Sequence, residues 1–395
     1  ANGAHSVTVN GYGFDTTRTD YRCQFRDGSG RIAYSSTVRP SSSTAVTCRT
    51  PSWSWQATGN PTTVYLQERT SVYISWTGSS RSFTFIPVYS SLSRTSGSAD
   101  GAYSFTVYGN GFNTGNSRYR CRFYSSKGNQ VYSSHVRPSS STQVTCRSPV
   151  WPYKASGNPT TVYLQESDRD MAFVGSSRTW TYYPSYQSIS STSGYADGRN
   201  DLTVNGYGFD TGRSDYRCRW YASNGNQVYS SYVRPSSVNA IKCKVPVWNY
   251  RSHNYPTTVY VYESSSSITW RGSQRSYSFI PVYHTISGTS GYANGASSIT
   301  VTGHGFDTGR TDYRCRFRTS NGYQAYSSNV RPSSATKVTC RTPVWNYPAT
   351  NYPTTVYLMH YSNSDVSFSG SKRSWTYIVV YNSISRSSGS ADGAY

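Results

Sequence analysis

Eight cysteines stand at positions 23, 48, 121, 146, 218, 243, 315 and 340 of this 395-residue chain. Members of a pair lie 25 residues apart, and successive pairs are offset by 98, 97 and 97 residues. Other landmarks keep the same offset. YRCQF at Tyr21 returns as YRCRF at Tyr119, YRCRW at Tyr216 and YRCRF at Tyr313. VTCRTP at Val46 returns at Val144, Ile241 and Val338, and NPTTVYLQE at Asn60 returns at Asn158, Tyr255 and Tyr352. Repetition at one fixed period means an array of like units, each folding around its own core.

Within a unit, short alternating segments are broken by Gly, Asn-Pro, Arg-Pro-Ser and Asp-Gly clusters every 8 to 15 residues. In the first unit SVTVNGYGF, DYRCQF, AYSSTV, AVTC, TTVYLQ, VYISW and RSFTFIPVY read as strands. About seven strands in about 100 residues is the pattern of a β-sandwich. Composition agrees: 39 Tyr and 10 Trp accompany two Met and only three Glu, so good strand formers replace good helix formers. The fold class expected is all-β, a tandem array of four sandwiches of about 97 residues. No apolar run approaches the roughly 18 residues of a membrane span. The opening ANGAHSVTVNG has no charged-then-apolar leader, so any export signal is expected to lie outside it.

Two cysteines in register in every unit, with no CxxC or Cys/His cluster, point to a disulfide instead of a metal site. Equal spacing makes Cys23–Cys48, Cys121–Cys146, Cys218–Cys243 and Cys315–Cys340 the simplest closed scheme. Such bonds persist in oxidising compartments, so an extracellular place, secreted or on a cell surface, is expected.

The strings VTVNGYGF, YRC and VTCRTP, present in all four units, resemble the IPT/TIG type of immunoglobulin-like domain. That family commonly shows an apolar strand, G-x-G/N-F, a Cys-bearing strand and a V/I-x-C-x-x-P element. It occurs in plexins, in the hepatocyte growth factor receptor, in large ectodomains and in Rel-type transcription factors. The resemblance implies an immunoglobulin-like sandwich used for extracellular spacing and adhesion, and it implies no chemistry.

The family's opening strand corresponds to PVYSSLS from Pro87, PSYQSIS from Pro184, PVYHTIS from Pro281 and VVYNSIS from Val379. Units are therefore expected at 1–86 (lacking this strand), 87–183, 184–280 and 281–377, with 378–395 the first strand of a further unit. Little free linker is expected between them. The start ANGAHS and the end ADGAY share one phase. Either the chain is a window of a longer array, or its last strand completes the first domain of the next copy. Its expected partners are thus copies of itself or the rest of such an array.

Catalysis needs acids, bases or nucleophiles side by side. The six His are out of register, which suggests incidental surface positions. Glu68, Glu166 and Glu263 fall in three separate units, with His360 in their place in the fourth. No nucleophile-elbow, phosphate-loop or zinc-protease pattern appears. No enzyme and no cofactor are expected. Asp15 and Asp20, Asp210 and Asp215, Asp307 and Asp312 recur in a G-x-G-F-D segment. They are calcium candidates if loop carbonyls add oxygen ligands, or else turn caps and Arg partners.

The charge is +21, with 38 Lys+Arg against 17 Asp+Glu, and 32 of those cations are Arg. Arg22, Arg120, Arg217 and Arg314 precede the first cysteine, and Arg39, Arg137, Arg234 and Arg331 precede a proline. Arg favours forked anionic partners and aromatic faces, so these eight are contacts for acidic polysaccharide or else lie over the sheets' own aromatics. Nucleic acid is disfavoured because the charge is spread along the units. Trp53, Trp151, Trp248 and Trp345, near C-x-x-P, either stack on sugars or seal the core. None of the 22 Asn lies in an N-x-S/T acceptor, whereas the Pro-Ser-Ser and Pro-Thr-Thr runs are compatible with O-linked glycans. The functional reading is a structural protein of an extracellular filament, with a glycan-binding adhesin as the alternative.

Overall fold

A computed structural model describes every residue except 4, 70, 254, 351, 361–363 and 386–395. The last turn of the supposed further unit, including ADGAY, therefore lies outside the described residues. Among those described there is no helix, and the strands form four immunoglobulin-like β-sandwiches.

The second sandwich shows the plan. One sheet holds, in order, Gln143–Arg147, Ser104–Asn110, Val88–Leu92 and Ala172–Phe173. The other runs Gln130–Tyr132, Tyr119–Ser125, Thr160–Glu166, Thr179–Tyr183 and Ser96–Ser98, with Arg169–Asp170 beside Thr160–Glu166. Alternation decides what each strand buries: in Ser104–Asn110, Phe105 and Val107 face inward while Thr106 and Tyr108 face out. Cys146 pairs in register with Phe105 on the first sheet, and Cys121 with Leu164 on the second. The disulfide thus ties sheet to sheet, and Cα separations of 6.0, 6.2, 6.1 and 6.1 Å repeat this in all four units.

Each core is closed at one end by a tryptophan. Trp53, Trp151, Trp248 and Trp345 are buried, and stack on Phe85, Tyr182, Phe279 and Tyr377 at 4.6–4.9 Å between ring centres. These four are core residues; their faces are not offered to sugars.

The first sandwich departs from the plan. Its first sheet contains only Ser6–Asn10 and Ala45–Arg49. VYISW shortens to Val72–Tyr73 and RSFTFIPVY to Ser82–Phe83 within this sandwich. Two pairings of the second sandwich have no counterpart among the described residues of the first: Ala172–Phe173 on Val88–Leu92, against which Trp76 would lie, and Thr179–Tyr183 on Ser96–Ser98, which extends the last strand.

Contacts divide the chain into two compact units. One is Ala1–Ser185 with Gly206–Thr211 and Ser237–Asn239; the other is Tyr186–Asn205 with Gly212–Ser236 and Ala240–Tyr395.

Replacing Cys218 and Cys243 together by Ala frees a 25-residue loop in the unfolded chain and should cost about 3 kcal/mol. Chemical denaturation followed by the fluorescence of buried Trp220 and Trp248 measures it.

Candidate functional site

Where one sandwich meets the next, the same loop meets the same turn. The indole N–H of Trp151 donates to the Lys154 carbonyl at 3.2 Å, that of Trp248 to Arg251 at 3.4 Å, and that of Trp345 to Pro348 at 3.3 Å. In these three sandwiches the core tryptophan therefore fixes the loop that follows it, whereas the Trp53 N–H has no hydrogen-bond partner among the described residues. In the first compact unit, that loop presents the Ala57 N–H to the Gly111 carbonyl and the Ala155 N–H to the Gly208 carbonyl, both at 3.0 Å. In the second, the Ser252 hydroxyl donates to the Gly305 carbonyl at 2.7 Å.

The accepting glycines need to be glycine. Gly111, Gly208 and Gly305 have φ of +87°, +79° and +78°. A Cβ on Gly111 would sit 2.9 Å from the Ala57 Cβ, and one on Gly208 2.8 Å from those of Ala155 and Ala99. A positive φ and a close approach both exclude a side chain.

Charge reinforces the contact. Lys154 Nζ reaches Asp210 at 2.6 Å, and Arg251 pairs with Asp307, whose side chain is only 1% exposed. At the corresponding places of the first joint stand Gln56 and Asn113, both neutral. The two sides change together: charged with charged, neutral with neutral.

The calcium candidates are accounted for by such contacts. Asp210 and Asp307 take the joint cations, while Asp20, Asp215 and Asp312 pair with Arg18, Arg213 and Arg310. Hydrogen bonds from these arginines hold the Asp20, Asp215 and Asp312 carboxyls below the usual range. Asp15 accepts from the Thr17 hydroxyl at 2.6 Å and from its N–H at 2.9 Å, and its pKa is likewise lowered, chiefly by that hydroxyl. Among the described residues no three His, Cys, Asp or Glu side chains gather as a metal-ligand set.

The arginines divide into two groups. Arg22, Arg120, Arg217 and Arg314 lie over Tyr34, Tyr132, Tyr229 and Tyr326 at 4.1–4.3 Å. Arg22 and Arg120 also donate through Nε to Gln67 and Gln165 at 2.8 Å, and Arg120 pairs with Asp168 at 2.8 Å. These stacks join neighbouring strands on the outer face of each second sheet, where a cation over a ring contributes about 0.5–1 kcal/mol. Arg39, Arg137, Arg234 and Arg331 are exposed, each just ahead of a buried proline.

Four of the six histidines are not incidental surface residues. His304 Nδ1 lies 2.6 Å from Asn249 Oδ1, and its ring is 4.8 Å from that of His284, whose Nδ1 lies 2.6 Å from Ser369 Oγ. His360 stacks on Tyr313 at 5.6 Å, and burial pushes its pKa down to about 4, with Asp312, Arg310, His253 and Asp307 as its charged neighbours. His253 is half-buried beside this cluster. All four belong to the third and fourth sandwiches. The joint residues themselves escaped sequence reasoning; the signal that would have found them is the matched change at 56/113, 154/210 and 251/307.

With this geometry in view, comparison with known proteins defines the class. The family model of the IPT/TIG domain matches residues 87–179, 184–271 and 281–370, and the chain belongs to that family. The IPT/TIG domain is a non-enzymatic immunoglobulin-like domain, and no curated protein sequence matches this one. Among solved structures, the full extracellular region of plexin A4 is 11% identical over 96% of this chain, with a TM-score of 0.21. This chain spans 47% of that one. A tetra-tandem repeat in the extending region of a large adhesion protein is 10% identical, covering 93% of this chain and 94% of that one, with a TM-score of 0.25. No helix among the described residues is long and apolar enough to cross a membrane.

Two outcomes are expected. Arg251→Gln, which leaves Asp307 buried beside no cation, should cost about 2 kcal/mol, less than a fully buried pair because the guanidinium is partly solvated. Adding Asp307→Asn, which recreates the neutral first joint, should recover most of it in a double-mutant cycle read by thermal unfolding. The second concerns pH. The fold holds His360 neutral, whereas the unfolded chain protonates it near pH 6.5. The stability it contributes is therefore complete above about pH 6.5 and lost as the pH falls towards 4. His360→Gln should flatten that part of the stability–pH curve.

Proposed function

We propose that this chain is a structural stretch of an extracellular filament or surface appendage, secreted or held at a cell surface. Its partners are copies of itself or the rest of a longer repeat array. The observation that carries this reading is the repeated joint, with Ala155 on Gly208 and Ser252 on Gly305. A flexible string of beads would not need a positive-φ glycine under a tryptophan-fixed loop. Four disulfides and the extracellular use of related domains support the compartment.

A second reading, an adhesin or lectin-like protein binding acidic glycans, draws on Arg39, Arg137, Arg234 and Arg331, one exposed cation per sandwich. The two readings part on a simple test. Electron microscopy of the oxidised chain, concentrated without glycan, should show fibres with an axial repeat. Single particles that bind heparin until all four arginines are replaced by Gln would favour the adhesin.

A further inference from the structure

The second and third sandwiches carry the same arginine–tyrosine framework on the outer face of the second sheet but differ in what neutralises it. In the second, Arg120 lies over Tyr132 at 4.2 Å, and Arg122 lies over Tyr163 at 4.4 Å and Tyr124 at 5.6 Å. Each guanidinium meets a carboxylate from one short segment: Arg120 pairs with Asp168 at 2.8 Å, and Arg122 with Asp170 at 2.6 Å. Gln165 completes the arrangement, accepting from Arg120 Nε and donating to Asp170, both at 2.8 Å. In the fourth sandwich Arg316 likewise pairs with Asp365, at 2.9 Å.

The third sandwich keeps the rings and the cations and lacks the anions. Arg217 lies over Tyr229 at 4.3 Å and Tyr232 at 5.2 Å, and Arg219 lies among Tyr221, Tyr260 and Tyr262 at 4.5–5.2 Å. The acidic segment is Ser264-Ser265-Ser266-Ser267 here, and it pairs in the same register: Ser267 faces Tyr262 as Asp170 faces Gln165. Ser265 and Ser267 therefore stand where Asp168 and Asp170 stand, and both are exposed. Among the described residues neither Arg217 nor Arg219 has a carboxylate partner. The Arg217 Nε is buried without a hydrogen bond, since Tyr262 replaces Gln165, and the bond from Arg219 to Gln227 is long, at 3.5 Å.

Two residues apart on one strand, these guanidiniums share a face. Each is half-buried against aromatic rings, stays charged at every physiological pH, and has a fork of N–H groups matched to an oxyanion. The shorter serine side chains leave the place of each carboxylate to solvent. Tyr232, 59% exposed, and Tyr221 lie beside the pair and offer ring faces on which a sugar can stack. A second copy of this chain is a poor source of the anions, since it carries a charge of +21 itself.

We infer that Arg217 and Arg219 form a site for two neighbouring oxyanions, carboxylate or sulfate, of an acidic polysaccharide, which take the places held by the Asp168 and Asp170 carboxylates in the second sandwich. The inference deepens the glycan-binding reading and rests on it for the class of ligand. It puts the ligand on the sheet face of one sandwich, away from the arginines that precede the prolines.

The test uses the intact oxidised chain, with a heparin octasaccharide and its fully desulfated, carboxylate-only form as probes in isothermal titration calorimetry. Ser265→Asp with Ser267→Asp rebuilds the internal pairs of the second sandwich, so the variant should fold and should bind about tenfold or more weakly. Ser126→Asp with Ser320→Asp makes the same charge change in exposed turns of other sandwiches, and should weaken binding about twofold at most. The tenfold loss is expected with the sulfated probe where sulfate is the oxyanion, and with both probes where carboxylate suffices; either supports the site. Equal weakening by the two aspartate pairs overturns it, because only overall charge is then being read. Binding that ignores the Ser265 and Ser267 changes but falls when Arg39, Arg137, Arg234 and Arg331 become Gln overturns this site and leaves the glycan-binding reading standing. Binding of neither probe by the unaltered chain overturns both.

Discussion

One tryptophan per sandwich, buried against an aromatic residue in or just after the last strand, is the contact on which both the domain and its joint depend. The ring closes the core; in the second, third and fourth sandwiches its N–H holds the loop three residues on. That loop presents the backbone or hydroxyl donor that the next sandwich's glycine accepts. Removing Trp248 would therefore act twice, by opening a cavity and by releasing the segment that carries Arg251 and Ser252. Core and joint share one residue, so cohesion within a sandwich and cohesion between neighbours are not independent properties.

Much of the fold was legible in the sequence because it is written four times. The cysteine period, the alternation in SVTVN and TTVYLQ, and the VTCRTP marker each recur, and a signal seen four times in register is hard to mistake. The sheet-to-sheet disulfides follow directly. What was not legible depends on the crossing of one unit's loop onto the next unit's turn. Lys154 and Asp210 stand 56 residues apart, and no local pattern connects them until the fold brings the loop after Trp151 onto the turn after Phe209. The arginines show the same limit. Their register was plain, but whether Arg22 faces solvent or lies on Tyr34 depends on which strands pair, and Gln24 opposite Tyr34 decides that. Histidines out of register looked incidental because a cluster confined to the third and fourth sandwiches leaves no repeat to read.

The first sandwich shows what one strand contributes. Its disulfide and tryptophan stack match the others, yet among the described residues its first sheet has two strands, its second has no counterpart of Ser96–Ser98, and the Trp76 segment has no ladder. The family match begins at residue 87, leaving this sandwich outside the matched ranges.

The central claim is that the joints are built structure, as well ordered as the sheets they connect. Amide hydrogen exchange on the intact chain tests it at the Ala57 and Ala155 N–H groups, which lie in loops outside any strand and are bonded to Gly111 and Gly208. The account predicts protection approaching that of sheet amides such as Val107 in the same chain. Exchange of both at the rate of an open loop, while the sheet amides stay protected, would contradict it.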